Sequence, residues 1–151
     1  MGVKAVQTSG TKFMRNDHAA ALKKARFNIK IDVKPGDIDE LGHVNNVVYL
    51  GWVQWVAATH WNLLSTTDIR SKNIWVALRH EIDYISPAFL GDAITGYTWV
   101  SSLEGAKSIR HVEFYLAEKC LAKATTTWCL LDAATSKPRR IGQDIKTLLE
   151  G

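Results

Sequence analysis

The residues best able to do chemistry lie in one run, Asp37-Ile38-Asp39-Glu40-Leu41-Gly42-His43-Val44-Asn45-Asn46-Val47-Val48-Tyr49. Carboxylates and a Gly turn come directly before an Asn-Asn pair, and that pair opens an apolar segment running to Leu64. Asn is a strong helix cap, so the spacing predicts a helix over 47–64. A carboxylate held at the start of a buried helix faces unpaired backbone N–H groups and the positive end of the helix dipole. A base and a site that polarises an electrophile then stand within a few residues of each other. Such a pairing is equipped for hydrolysis.

Within the run, Asp39 is the candidate for chemistry and Asp37 reads as a turn former. Asp37-x-Asp39-x-x-Gly42 begins like a calcium loop, but that loop needs oxygen ligands at its fifth and twelfth positions, which here are Leu41 and Val48. A calcium site is excluded. His43 has no Cys or His cluster near it, so zinc lacks its ligands; its expected role is a hydrogen bond that fixes the turn. Asn45 and Asn46 are helix caps, and Tyr49, one turn in, is either packing or pocket-lining. His60 and His80 are expected as core or rim histidines.

The elements around the run follow from periodicity. Residues 26–33 alternate apolar and polar as a half-buried strand, ended by Pro35-Gly36. The segment 47–64 is apolar nearly all round and contains no Asp or Glu, so it must be surrounded by other structure. Residues 65–73 are polar and read as a loop. In 74–85, Val76, Leu78, His80, Ile82 and Tyr84 fall on one face. Three further strands follow at 93–103, 108–118 and 121–132, joined by turns at Glu104-Gly105 and Glu118-Lys119. Residues 143–150 form a short terminal helix. The order predicts an α+β domain, with a sheet of five strands, the last four in a meander, curled round one long helix.

Composition bounds the rest. A chain of 151 residues, 46% hydrophobic and 23% charged, fits one soluble domain. Its net charge of +4 is uneven: residues 1–26 carry six Lys or Arg against one Asp, which leaves the remainder at −1. No basic stripe crosses the body, so nucleic acid is not an expected partner. Residues 1–25 faintly resemble an organelle-targeting peptide, but the preferred reading is a short helical or disordered extension on a cytoplasmic protein. They lack the apolar stretch of a secretion signal, and Val6 breaks the myristoylation pattern. Cys120 and Cys129 form neither a disulfide framework nor a metal pair, and on adjacent strands they would be buried thiols. No segment reads as membrane-spanning, because Gln54, His60 and Asn62 interrupt the most apolar one. Six Trp hint at a large apolar pocket or an oligomer surface.

This order of elements, together with Asp39-x-x-Gly42-His43-Val44-Asn45-Asn46-x-x-Tyr49, resembles the hot-dog fold thioesterases, and most closely their 4-hydroxybenzoyl-CoA and acyl-CoA thioesterase branch. The run from His80 to Pro87, followed by Leu90-Gly91-Asp92, is similar to that branch's second strand and the turn after it. The resemblance spans residues 26–150. It implies a hot-dog domain over 26–151 with residues 1–25 as a basic N-terminal extension. It also implies hydrolysis of an acyl-CoA or acyl-carrier-protein thioester to a free acid and a thiol.

By the same resemblance Asp39 is the base or nucleophile, and the N–H near Asn46 polarises the thioester carbonyl. His43, Val44, Asn45, Asn46 and Tyr49 then surround the substrate. Coenzyme A, as part of the substrate, is expected to meet Lys107, Ser108 and Arg110, with Arg139 and Arg140 as weaker candidates. No other cofactor and no metal is implied, and the assembly is a homodimer or a dimer of dimers. A thiolate leaves without strong acid help, so one carboxylate suffices. Two alternatives share the fold. One is a non-catalytic acyl-CoA sensor. The other is a hydratase or dehydratase, which needs a helix carboxylate that 47–64 lacks.

Overall fold

Helix formation begins where the sequence offers a cap. The structure, a computed structural model, describes residues 26–150; the extension expected over 1–25 lies outside the described residues. Helix α1 spans Asn46–Leu64, and Asn45 caps it in an extended conformation, its Oδ1 accepting from the Val47 N–H at 2.9 Å. At the other end, Arg70 donates from Nη1 to the carbonyls of Ser65 (2.6 Å) and Asn62 (3.0 Å). A cation thus closes the negative end of the dipole. Arg70 belongs to α2, Thr67–Lys72, capped by Thr66. The loop expected over 65–73 is therefore mostly helix. A Thr cap, an early Asp68 and late Arg70 and Lys72 supply the order of charges a short helix favours.

Five antiparallel strands wrap α1: β1 Phe27–Asp32, β2 Asn73–Tyr84, β3 Ala93–Glu104, β4 Lys107–Leu116 and β5 Lys119–Asp132. Their order is β1-β3-β4-β5-β2. The α+β expectation holds, but the four-strand meander does not. Only β3, β4 and β5 form one, while β2 crosses to the far edge and pairs with β5. A second correction concerns the face of β2. The register slips between Ala77 and Arg79, which leaves Leu78 as an unpaired extra residue. Below the slip Trp75 packs inward; above it Ile82 does. Val76 and Leu78 therefore do not share a face with His80, Ile82 and Tyr84. Cys120 and Cys129 both lie on β5 rather than on neighbouring strands, and only Cys129 is buried.

Close approach of helix to sheet depends on Gly96 of β3. A Cβ there would stand 3.2 Å from Val56 Cγ2 and 3.4 Å from Phe114 Cε1. α1 buries Tyr49, Val53, Val56, Ala57 and Trp61 against the sheet, but Val47, Trp55 and Leu63 are exposed. A helix expected to be enclosed thus keeps an apolar face uncovered. Helix α3, Gln143–Glu150, closes one end with Ile145 and Leu149. Among the described residues no helix is long and apolar enough to cross a membrane.

The interior divides in two. One cluster gathers Ile31, Tyr49, Val53, Val56, Ile94, Phe114 and Leu121; the other gathers Trp61, Leu130, Ile141, Ile145 and Leu149. Between them the inner sheet face carries buried polar side chains, Thr98, Ser108, Arg110 and Thr126.

Candidate active site

The loop before α1 is folded by its own backbone. After a 3-10 turn at Pro35–Asp37, an Ile38–Val44 bridge closes the loop, and Asn45 N–H donates to Asp37 O at 2.9 Å. Inside it, Asp39 N–H donates to His43 O (2.8 Å) and Gly42 N–H to Asp39 O (3.0 Å). Gly42 sits at φ 85°, a conformation that favours glycine. These bonds bring Asp39 and Asn46 to the two ends of one tight turn.

Asp39 is half-buried, and its Oδ1 accepts from the N–H groups of Leu41 (2.9 Å) and His43 (3.4 Å). Its Oδ2 accepts no hydrogen bond among the described residues. Asp37 turns the other way, accepting from Lys34 N–H at 2.9 Å, as a turn former does. His43 braces the turn through its backbone, while its ring meets Phe89 edge-on at 5.3 Å. Val44 is buried and donates to Ala88 O. Asn46 is exposed; its N–H has no partner among the described residues, and its carbonyl accepts from the Tyr84 hydroxyl at 3.2 Å.

Tyr49 lies in the core beneath the loop, ringed by Trp52, Tyr84 and Phe114 at 5.1–5.6 Å. Burial, then the Asp92 charge, pushes its phenol up to about 12, so it stays neutral.

The three residues expected at coenzyme A separate. Lys107 is exposed at the β3–β4 turn, whereas Ser108 and Arg110 are buried on the inner sheet face. Arg139 bonds Asn73 Oδ1 at 3.2 Å and lies 3.8 Å from Asp132, a structural role; Arg140 is exposed. Among the described residues no group of three His, Cys, Asp or Glu could hold a metal ion.

Ser108 and Arg110 open instead into a cavity of about 480 Å³, walled by Ala57 and Trp61 of α1, Trp75 of β2 and Trp128 of β5. Arg110 is 5% exposed, and its Nη1 meets His60 Nδ1 and Thr98 Oγ1, each at 2.9 Å. Burial, then the Arg110 charge, holds His60 down at about 4, so the ring is neutral and accepts from the guanidinium. Burial lowers Arg110 to about 10, which leaves it charged near neutrality. His80 Nδ1 lies 2.8 Å from Thr126 Oγ1, beside Trp128. The Trp content hints at an apolar pocket without placing it; the positional signal is that Ser108 and Arg110 keep phase with Val112 and Phe114, both core residues of β4.

Comparison with known proteins agrees with the fold. A family model described as the thioesterase-like superfamily matches residues 33–149. No curated protein matches the chain. Among solved structures, YbaW, a probable thioesterase from Escherichia coli, is 25% identical with a TM-score of 0.71, covering 82% of this chain and 96% of its own. Slr0204, a 1,4-dihydroxy-2-naphthoyl-CoA thioesterase from Synechocystis, is 18% identical with a TM-score of 0.72, over 83% and 96%. A Thermus thermophilus thioesterase complexed with coenzyme A and Zn is 22% identical with a TM-score of 0.73, over 82% and 90%. A family match over most of the chain, joined to a five-stranded sheet wrapped round one helix, makes this protein a member of the thioesterase-like superfamily with the hot-dog fold.

Proposed function

We propose that the protein hydrolyses an acyl-CoA thioester to a free acid and coenzyme A, with Asp39 as its base or nucleophile. Family membership supports thioesterase chemistry. The observation that carries the assignment to this turn is the pairing of an unengaged Asp39 Oδ2 with an unclaimed Asn46 N–H at the positive end of α1. The thioester carbonyl seats on that N–H; a preorganised donor of this kind is worth about 3–4 kcal/mol. Asp39 either draws a proton from the attacking water or bonds to the acyl carbon itself. In the second route the thiolate leaves with the electron pair, and water then cleaves the anhydride. No cofactor is required beyond the coenzyme A of the substrate. A cytoplasmic location suits the buried thiol of Cys129.

The same reading includes a homodimer. β2 is an edge strand, and Ile74, Leu78, Tyr84 and Ile85 on or beside it are exposed, as are Val47 and Trp55 on α1. An open apolar edge favours pairing with a second copy. If two β2 strands pair antiparallel about their middles, the Tyr84 end of one chain lies beside the Asn73 end of the other.

The deciding experiment traps released thiol from a panel of acyl-CoAs, with wild type and Asp39→Asn compared side by side. Wild type is expected to release coenzyme A, and the folded variant to lose about a hundredfold or more in turnover. Binding without release points to a sensor, and conversion of the acyl chain without release points to a hydratase. Full turnover by folded Asp39→Asn overturns the assignment of the turn.

A further inference from the structure

We propose that the cavity walled by Trp61, Trp75 and Trp128 is an acyl-tail pocket that selects acyl groups ending in a carboxylate. The argument starts from a charge without a counter-charge. Arg110 is almost fully buried, yet among the described residues no carboxylate pairs with it; the three ion pairs all lie elsewhere. Both of its protein partners, His60 and Thr98, are neutral and both sit on Nη1. Nε and Nη2 have no hydrogen-bond partner among the described residues. A buried cation left in this state is costly unless an anion joins it.

A second, independent group points the same way. Trp128 Nε1 is buried with no hydrogen-bond partner, and Trp128 lines the same cavity. Register brings the donors together: Trp128 stands directly across from Ser108, two residues along β4 from Arg110. A guanidinium can only donate, so a ligand that meets it must accept, and its positive charge asks for an anion. A carboxylate matches the guanidinium fork. The remaining wall is aromatic and aliphatic, which suits the chain that carries that carboxylate, and the volume lies in the range of small-ligand sites.

Arg110 lies too far along α1 to serve Asp39 of its own chain. Its partner His60 follows Asn46 by fourteen residues, about 21 Å of helix. The paired β2 strands described above resolve this. The cavity opens between Asn73, Ile74 and Trp75 on β2 and the exposed side of α1. A two-fold partner sets its own Asn46 turn, tied to Tyr84, beside that mouth. The tail pocket of one chain then serves the Asp39 of the other. This extension rests on the thioesterase reading, but the carboxylate pocket is testable without it.

The test has two arms. In the first, binding of free adipate to the whole protein is measured by calorimetry, for wild type, Arg110→Met, Trp128→Phe and Ser108→Ala. In the second, kcat/KM is compared for adipoyl-CoA and hexanoyl-CoA, which differ only in the distal carboxylate. Adipate is expected to bind wild type and to lose about tenfold or more in affinity in Arg110→Met, with a smaller loss in Trp128→Phe. The adipoyl preference is expected to be about tenfold or more, and to collapse towards one in Arg110→Met. Should Arg110→Met fail to fold, Trp128→Phe and Ser108→Ala decide by the same readouts.

Adipate binding that depends on Arg110, without any hydrolysis, upholds the pocket and removes the thioesterase reading. Hydrolysis without carboxylate preference and without adipate binding does the reverse. A KM rise in Arg110→Met that is equal for both thioesters, with 3′,5′-ADP rather than adipate bound, assigns Arg110 to coenzyme A and overturns the proposal.

Discussion

The hydroxyl of Tyr84 donates to the carbonyl of Asn46 at 3.2 Å, tying the last residue of the sheet's edge strand to the first residue of helix α1. The bond spans 38 residues and holds the helix start that offers its free N–H. Tyr84→Phe removes it while keeping the ring contact with Tyr49. Because Tyr84 is 46% exposed, the loss is expected to be modest, about 0.5–1 kcal/mol, or roughly 2–4 °C in Tm. Turnover measured well below Tm should fall a few-fold. Unchanged turnover would mean that the bond serves the fold alone.

Gly42 provides a cleaner probe of the turn. A Cβ there meets nothing within 4 Å, so Gly42→Ala tests only its φ of 85°. The expected cost is about 1–2 kcal/mol, read by urea denaturation. Gly36 also has open space but no positive φ, so Gly36→Ala should cost much less. Equal losses would mean that the backbone conformation of Gly42 is not what stabilises the turn.

Stability should fall on mild acidification. His60 is held down at about 4, and burial also lowers His80 and His111. The same imidazoles in the unfolded chain titrate at about 6.5. As pH drops from about 6.5 towards 4, the unfolded state takes up protons that the folded state refuses, so stability is lost across that window and is fully present above it. Tm measured at steps from neutral pH to about 4.5 checks this. His60→Gln, whose amide oxygen can still accept from Arg110, should shallow the slope. A flat profile in wild type would contradict the assignment of neutral, half-buried histidines.

The proposed dimer predicts a surface phenotype. Leu78 is 54% exposed and unpaired at the slip in β2, on the open edge of the sheet. Leu78→Lys places charge where a second strand would lie. Sedimentation is expected to show a dimer for wild type and a monomer for the variant, with Tm little altered. If the variant remains a dimer, the β2 edge is not the contact.

Much of the turn that forms the candidate site could be read from residue order because its determinants are local. Asn45 caps, Gly42 turns and Asp39 follows from their spacing. The helix and hairpins also came through, since each rests on short-range periodicity. What failed depends on long-range pairing. Nothing in the composition of β2 says that it skips β3 and joins β5, and a one-residue slip at Leu78 reverses the face that simple alternation assigns. The cavity was hidden for a related reason. Trp61, Trp75 and Trp128 are far apart in the chain, and only the folded register brings them to one space.

The seam of buried polar side chains from Thr98 through Arg110 to Thr126 has a consequence for how the molecule breathes. An unbroken oily interior opens as one body; an interior divided by a polar seam has a natural line of parting. If the proposed pocket takes a guest, the compartment under α3 can slacken to admit it while the compartment beneath Asp39 stays shut. Amide hydrogens of α3 should therefore exchange with solvent through smaller openings than those of β1 and the first turns of α1. On the proposed function, rigidity is kept where a bond must break, and give is allowed where a tail must enter.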